Sequence, residues 1–215
     1  MYENRADAGR RLAEAVAERF PELTDAVALG LPRGGVPVAA ELAHALGAQL
    51  DVLVVRKLGV PSSPEVAMGA IASVGGELAV VANDEVRQQV ARYAGADAWS
   101  GTLARERAEL ERRVGAYRES RPPLRLEGRT VLLVDDGIAT GATMRAAAAA
   151  ARQLGPARLI AAAPVVLPGA RAAVEASVDE LVCPWYPAYF LGVGQAYSDF
   201  AQTSDAEVRE LLAAG

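Results

Sequence analysis

The sequence predicts an α/β protein with an open, mostly parallel sheet flanked by helices. Short runs of consecutive apolar residues, such as DVLVVRK at 51–57, alternate along the chain with segments of helical periodicity. Consecutive apolar residues indicate strands covered on both faces, which is typical of parallel sheets. In addition, an apolar run at 25–31 passes through a glycine turn into a helical segment, and this order begins an α/β unit.

The length and composition favour one domain over residues 1–215, since 52% hydrophobic residues suffice for a substantial core. The core is expected at about 22–183, with a helical insertion at about 84–121. No apolar run reaches the roughly 18 to 20 residues that a membrane span needs, and the charged amino terminus lacks an apolar signal region. We therefore expect a cytoplasmic protein without a membrane partner.

Several classes of site are excluded by residue counts. The single cysteine, Cys183, cannot form an internal disulfide, and the single histidine, His44, cannot build a His-rich metal site. The net charge of −5 argues against a nucleic-acid partner bound mainly through its phosphates, because that mode requires an excess of cations.

The elements before residue 83 follow from periodicity and turn residues. Residues 5–20 place apolar side chains four apart, which predicts a helix with one packed stripe. A second helix is expected at 39–47, and it gives His44 a structural role. Residues 58–82 contain two prolines, paired serines and Gly75-Gly76 between two β-prone runs. This composition predicts a long loop that leads into a hairpin.

The segment 84–121 is charged and helical. Its apolar residues fall on one stripe: Trp99, Leu103, Leu110, Val114 and Tyr117. Glu109 and Arg113 have the order and spacing of a favourable i,i+4 ion pair. We interpret the segment as a solvated helix with one packed face, and a dimer contact is the alternative.

After Pro122-Pro123 the alternation of strand and helix resumes. The predicted elements are strand 129–136, helix 142–155, strand 158–166, helix 168–177 and strand 179–183. The tail at 184–202 is rich in aromatic residues, proline and glycine. Ser204 opens a capping box, which predicts a C-terminal helix at about 204–213.

The stretch VLLVDDGIATGAT at 131–143 carries the chemistry. In an open parallel sheet the carboxyl ends of the strands form the ligand crevice, and Asp135 and Asp136 stand at such an end. The small-residue turn that follows exposes backbone N–H groups at a helix amino terminus, which suits a phosphate monoester. Two carboxylates would repel a neighbouring phosphate unless each of them accepts hydrogen bonds from hydroxyl groups, and the vicinal hydroxyls of a sugar supply such donors. The stretch therefore predicts a pocket for a ribose 5-phosphate.

This stretch resembles the signature of the type I phosphoribosyltransferases. The resemblance implies that Asp135 and Asp136 bind the ribose 2- and 3-hydroxyls. It implies that Ala139, Thr140, Gly141, Ala142 and Thr143 wrap the 5-phosphate, and that Gly137 and Ile138 at the start of the turn also belong to the substrate-binding residues. It also implies Mg²⁺-dependent transfer of a 5-phosphoribosyl group from phosphoribosyl pyrophosphate to a nitrogenous base, with release of pyrophosphate, and a homodimer.

Two further segments stand at positions where that family binds pyrophosphate. The loop LPRGGVP at 31–37 stands where the family binds pyrophosphate, often with a non-proline cis peptide; the resemblance gives this role to Arg33, Gly34 and Gly35. Arg56 and Lys57 stand where the family has a basic residue that faces the pyrophosphate. An ordinary glycine turn and an ordinary strand-end charge pair are the alternative interpretations. Residues 58–76 correspond to the family's mobile flap.

In this family a C-terminal hood covers the base, and residues 182–203 stand in its place. Trp185 and Tyr186, with Tyr189 and Phe190 nearby, are candidates for stacking on a base; packing within the hood is the alternative. Asp199 matches the metal-contacting aspartate of the purine enzymes only out of register by one residue. Magnesium is expected to be held mostly by substrate oxygens, with Asp136 acting through water.

The acceptor base stays unassigned. Ala139 replaces an aspartate that serves the purine ring in hypoxanthine and guanine enzymes, which argues against that proton relay. Two other classes stay open: a non-catalytic protein that binds phosphoribosyl pyrophosphate or a nucleotide, and a sugar-phosphate hydrolase. The sequence has no P-loop, no dinucleotide-binding glycine motif and no histidine near Ser62-Ser63.

Overall fold

A computed structural model describes residues 1–95, 97–118 and 121–215. Within these residues a seven-stranded sheet has the order β4-β3-β2-β1-β5-β6-β7. The strands are β1 (Ala26–Gly30), β2 (Gln49–Val60), β3 (Ser63–Val74), β4 (Glu77–Ala82), β5 (Thr130–Val134), β6 (Arg158–Ala162) and β7 (Glu180–Val182). The helices are α1 (Arg5–Arg19), α2 (Gly35–Leu46), α3 (Asp84–Ala94), α4 (Asp97–Arg118), α5 (Ala142–Arg152), α6 (Arg171–Glu175) and α7 (Asp205–Ala214), with a short 3-10 helix at Val193–Ala196.

The parallel part of the sheet confirms the predicted fold class. Strands β2, β1, β5, β6 and β7 run parallel, and Gly30 at the end of β1 pairs with both Val52 and Val134. Alternate residues of β1 face opposite layers. Ala28 packs in the cluster formed with α1, α2, α4 and α7, whereas Val27 packs in the cluster formed with α5 and α6. The carboxyl ends of β1 and β5 therefore lie side by side at one edge.

The antiparallel part differs from the predicted long loop at 58–76. Strands β2 and β3 pair as a hairpin from Leu53 with Val74 to Val60 with Ser63, with a register shift on either side of Gly59. Gly75 and Gly76 then turn the chain into β4 with positive φ angles of 62° and 94°. The hairpin forms because its ladder is satisfied and its apolar residues, such as Leu58, are buried against helices.

The predicted stripe of the helical insertion is confirmed. Leu110 and Tyr117 are buried, and Trp99, Leu103 and Val114 pack against the same core cluster. Glu109 accepts a hydrogen bond from Arg113 at 2.8 Å, as the i,i+4 spacing predicts. Residues 96, 119 and 120 of the predicted segment lie outside the described residues.

The amino terminus pairs with a segment close to the C-terminal helix. Tyr2 donates its backbone N–H to Ala196 O and accepts from Ser198 N, both at 2.8 Å, so the amino terminus forms a short ladder with residues 182–203, called the C-terminal segment below. The predicted C-terminal helix begins at Asp205, and Ser204 is its N-cap, since Ser204 Oγ accepts from Glu207 N at 3.1 Å; this is the first of the two hydrogen bonds of the predicted capping box. No helix among the described residues has both the length and the apolar character that a membrane crossing demands.

Candidate functional site

The two carboxylates follow β5 at the carboxyl edge of the sheet. The N–H of Asp135 continues the ladder to Ala162 O at 3.2 Å, and the Asp135 carboxylate accepts from Asp136 N at 2.9 Å. Both residues are half-buried. Burial raises the pKa of Asp135 well above its usual range, and the charge of Asp136 raises it further. A site of this kind favours ligands that donate hydrogen bonds to the pair.

Asp136 has a partner that the sequence did not indicate. Arg5 Nε, at the start of α1, donates to Asp136 Oδ2 at 2.8 Å. Burial raises the pKa of the Asp136 carboxyl, and the Arg5 guanidinium opposes that shift. In addition, the Tyr197 hydroxyl donates to the backbone oxygen of Asp136. Nothing in the sequence distinguishes Arg5 from the many other arginines of the chain.

The turn after the carboxylates presents backbone N–H groups. Within residues 139–143, no acceptor among the described residues is paired with the N–H of four positions: Ala139, Thr140, Gly141 and Thr143. Gly141 adopts a φ of 76° and caps the amino end of α5. Ala139, Thr140, Ala142 and Thr143 are exposed. Unpaired amides at a helix amino terminus make an anion-binding cradle.

Two predicted members of the cradle have different positions. Ile138 is buried, and its N–H donates to Val165 O at 2.8 Å. Gly137 lies against the C-terminal segment, where an added Cβ would come within 2.4 Å of the Val193 side chain. These two residues therefore anchor the turn, and residues 139–143 form its open part.

The loop before α2 lies directly against β5. Leu31 N donates to Val134 O at 2.8 Å, and the Pro32–Arg33 peptide is cis. An added Cβ at Gly34 would lie 2.0 Å from Asp136 Oδ2, and one at Gly35 would lie 2.4 Å from Val134 O. Only glycine permits this approach. The structure thus brings the predicted pyrophosphate loop and the predicted ribose carboxylates together.

The basic candidates face different surroundings. Arg33 Nη1 lies 3.8 Å from Asp205 Oδ1 at the start of α7. Arg56 is turned towards α4, where Nε and Nη2 donate to Glu106 Oε2 at 3.0 and 2.6 Å. Lys57 is exposed and lines, with Thr143, a cavity of about 500 Å³ between β3, β4 and α5. Of the β2 pair, Lys57 is therefore the side chain on the same side as the cradle.

The aromatic candidates divide between packing and exposure. Trp185 packs edge-on against Tyr2 and Phe190, with ring centroids 5.8 and 5.1 Å apart. Tyr186 lies under the Arg171 guanidinium at 4.5 Å. The Tyr189 side chain is 93% exposed. The C-terminal segment thus has a small core of its own and an exposed aromatic surface.

The remaining candidates are Asp199, His44 and a metal. Asp199 accepts from Ala201 N at 3.0 Å and lines a cavity of about 280 Å³ with Arg5 and Glu41. His44 is exposed in the last turn of α2. In the part of the chain that the structure describes, no cluster of three or more metal-ligating side chains occurs. Magnesium fits such a site where substrate phosphates supply most of its ligands and one carboxylate assists.

Comparisons with known proteins identify the family. A family model described as a phosphoribosyl transferase domain matches residues 1–189. The Mycobacterium tuberculosis proteins MT0597 and Rv0571c, whose names assign them provisionally to the phosphoribosyl transferases, are each 45% identical over 212 residues. These alignments cover 99% of this chain and 46% of each relative, so the chain spans about half the length of the curated relatives it matches.

Solved structures with the same architecture exist. The crystal structure of TT1426 from Thermus thermophilus is 42% identical, with a TM-score of 0.86, and the match covers 99% of this chain and 97% of that one. The structure of AQ2163 from Aquifex aeolicus is 10% identical, with a TM-score of 0.51 over 85% of this chain and 74% of that one. The second similarity concerns the fold alone.

Proposed function

The chain belongs to the phosphoribosyl transferase family, and on that premise we propose that it transfers the 5-phosphoribosyl group of phosphoribosyl pyrophosphate to a nitrogenous base. Pyrophosphate is the second product. One observation carries the proposal: two half-buried carboxylates are followed by a turn whose open part, residues 139–143, has four unpaired backbone amides among the described residues. A phosphate and a neighbouring diol, as in a ribose 5-phosphate, match those two halves in charge and hydrogen bonding.

The proposed reaction is a displacement at the anomeric carbon. A ring nitrogen of the base attacks, the bond to pyrophosphate breaks, and positive charge develops on the sugar. The protein contributes mostly by positioning the two reactants and by stabilising the departing negative charge. We assign the carboxylates of Asp135 and Asp136 to the ribose hydroxyls and residues 139–143 to the 5-phosphate.

The departing pyrophosphate is assigned to Arg33, Gly34, Gly35 and Lys57. Arg33 precedes the glycine that packs on Asp136, and Lys57 lies on the cradle side of the β2–β3 hairpin. Arg56 has a lesser role in this proposal, because its guanidinium is paired with Glu106. Magnesium would be held by Asp136, whose Oδ2 faces Gly34, with Asp199 as a second candidate. The ion would supply positive charge for the departing pyrophosphate.

The base is expected under the C-terminal segment. Tyr186 and Tyr189 present aromatic surface to solvent, whereas Trp185 packs against Tyr2 and Phe190. Stacking on an aromatic ring tolerates any heterocycle. We therefore propose a nitrogenous base without choosing among the heterocycles, and we favour Tyr186 over Trp185 as the stacking residue.

Labelled phosphoribosyl pyrophosphate, Mg²⁺ and a panel of bases test the proposal. Base-dependent release of pyrophosphate is expected of a transferase. Binding without release identifies a regulatory protein, and base-independent release identifies a hydrolase. Both of these outcomes contradict the proposal.

The site assignment has a separate test. Replacing Asp135 and Asp136 together by Asn should weaken binding of phosphoribosyl pyrophosphate at least about tenfold, because two charged acceptors are lost. The circular dichroism spectrum should stay unchanged. Asp25→Asn removes an exposed carboxylate that pairs with Arg129, and it serves as the control. Wild-type affinity in the double variant would contradict the assignment.

A further inference from the structure

The amino-terminal end of α1 contributes a side chain to the candidate site. Arg5 makes three contacts at once. Its Nε donates to Asp136 Oδ2 at 2.8 Å, its Nη1 donates to Ala201 O at 2.6 Å, and its guanidinium carbon lies 4.0 Å from the centre of the Phe200 ring. One planar cation therefore joins the second carboxylate to the C-terminal segment.

The same carboxylate residue is held a second time by that segment. The Tyr197 hydroxyl donates to Asp136 O, and the Tyr197 ring stacks on Phe200 with centroids 4.9 Å apart. Tyr197 is itself fixed by the ladder between Tyr2 and residues 196–198. Arg5, Phe200 and Tyr197 thus form a continuous connection that begins and ends at Asp136.

The ion pair also lies against the predicted pyrophosphate loop. An added Cβ at Gly34 would be 2.0 Å from Asp136 Oδ2 and 3.2 Å from Arg5 Nε. The pair is therefore enclosed by α1, by the loop before α2 and by the C-terminal segment, and each side chain is only 13–14% exposed. A partly buried carboxylate with one fixed oxygen has a defined orientation, which is what a preorganised binding group requires.

We propose that Arg5 is a positioning residue of the ribose site. It holds Asp136 through one carboxylate oxygen, and it connects that carboxylate to the C-terminal segment, under which the acceptor base is expected. The inference rests on the proposed function, since it assigns Asp136 to a ribose hydroxyl. Within the described residues Arg5 donates a hydrogen bond to Oδ2 and none to Oδ1, so Oδ1 is the oxygen assigned to the sugar hydroxyl.

The alternative role of the ion pair is to block the site. In that case Arg5 would compete with the sugar for Asp136, and its removal would strengthen binding. The two roles predict opposite signs of the change in affinity, so one set of variants separates them.

The experiment measures binding of two ligands, phosphoribosyl pyrophosphate and inorganic pyrophosphate, each with Mg²⁺, by titration calorimetry. Arg5→Gln removes the charge and the guanidinium that makes all three contacts. It should weaken binding of phosphoribosyl pyrophosphate about tenfold, because a hydrogen bond to a charged group is lost. Binding of pyrophosphate, which has no ribose, should stay within about twofold. A merely structural role would weaken both ligands alike.

Two further variants give the comparison its controls. Arg5→Lys keeps the charge but cannot hold Asp136, Ala201 and Phe200 together, so an affinity between wild type and Arg5→Gln is expected. Arg10→Gln removes a neighbouring arginine of α1 whose pair with Glu41 spans 3.6 Å at the surface, and it should bind both ligands like wild type. If Arg5→Gln does not fold, the same two ligands measured on Arg5→Lys decide the question, with about threefold weaker binding of the sugar ligand expected.

Each remaining outcome is decisive. Unchanged affinity for phosphoribosyl pyrophosphate in a folded Arg5→Gln protein, or in Arg5→Lys where Arg5→Gln does not fold, overturns the inference and leaves the proposed function intact. Tighter binding overturns it in favour of a blocking role. Equal weakening of both ligands also overturns it. Failure of the wild-type protein to bind phosphoribosyl pyrophosphate overturns the proposed function together with the inference.

Discussion

The Arg118–Asp51 and Arg5–Asp136 ion pairs use the same two types of side chain in different regions of the molecule. Arg118 grips Asp51 with two nitrogens, Nε to Oδ1 at 3.1 Å and Nη2 to Oδ2 at 2.9 Å, and the side chains are 6% and 3% exposed. Arg5 contacts Asp136 with one nitrogen, and these side chains are about twofold to fivefold more exposed. One pair lies below α4 and the other lies at the carboxyl edge of the sheet.

The two pairs differ in how many of their carboxylate oxygens accept hydrogen bonds from the described residues. Asp51 Oδ1 also accepts from Val52 N at 2.8 Å, and Arg118 Nη2 also donates to Pro122 O at 2.8 Å. Both Asp51 oxygens are therefore engaged, and this pair fastens the end of α4 to β2. Asp136 has one oxygen outside its ion pair. A fully satisfied pair stabilises a fold, whereas a pair with spare acceptor capacity at a crevice is suited to binding.

The largest expected effect comes from breaking the satisfied pair. Arg118→Ala leaves the Asp51 charge buried, with Arg121 Nε 3.8 Å away as the remaining cation. The free energy of unfolding should fall by about 3–5 kcal/mol, because an uncompensated buried charge is strongly destabilising. Urea unfolding measures the loss. Binding of phosphoribosyl pyrophosphate at a temperature where the variant is folded should stay unchanged.

An exposed pair on the same helix provides the control. Arg107 Nε lies 2.8 Å from Glu111 Oε1, and both side chains are more than half exposed. Arg107→Ala should lower the free energy of unfolding by about 1 kcal/mol or less, since water screens such pairs. If Arg118→Ala lowers the free energy of unfolding by no more than Arg107→Ala does, burial does not explain a difference between these two ion pairs.

The sequence could predict the half of the site that is local in the chain. These features are contiguous in the chain: strand β5, the two carboxylates that follow it, and the turn at 139–143. The apolar run, the charges and the small residues therefore appear together in one short stretch of sequence. The ion pairs could not be found in this way. Arg5 and Asp136 are 131 positions apart, Arg118 and Asp51 are 67 apart, and arginine is abundant throughout.

The hairpin at 58–76 shows a second limit. Proline, glycine and serine are typical of loops, and they predicted a long loop here. The structure accommodates them by placing Pro61 and Ser62 in a two-residue turn and a register shift beside Gly59. Long-range pairing with the neighbouring strands decides such a segment, and composition alone carries no information about that pairing.

An intermediate effect is expected where the site pair is displaced without changing either partner. In Gly34→Ala the new Cβ would lie 2.0 Å from Asp136 Oδ2, so the end of that side chain must shift from the position in which Arg5 holds it. Binding of phosphoribosyl pyrophosphate should weaken about tenfold, which corresponds to about 1.4 kcal/mol. The free energy of unfolding should change by less than the loss in Arg118→Ala, because the atoms nearest to the new Cβ belong to the far end of a side chain and not to the backbone.

Gly101→Ala is the control that separates the clash with Asp136 from the general effect of replacing glycine by alanine. Gly101 lies in α4 with no atom within 4 Å of an added Cβ. Gly101→Ala should raise the free energy of unfolding by about 0.4–1 kcal/mol, because alanine restricts the unfolded chain and favours the helix. Its ligand binding should match wild type. Wild-type binding in Gly34→Ala would show that the position of Asp136 does not govern affinity.

The smallest effect is expected from the exposed cluster of Glu109 with Arg112 and Arg113 on α4. Hydrogen bonds from Arg112 and Arg113 lower the pKa of Glu109 from 4.5 to about 2. Since the folded pKa is the lower one, the pair contributes stability above the unfolded value and loses it as the pH falls from about 4.5 to about 2. Glu109→Gln should therefore be less stable than wild type at pH 7 and equally stable near pH 2. Urea unfolding across this range, repeated at high salt, measures the difference; a difference that persists at pH 2 would show that the carboxylate acts through packing instead of charge.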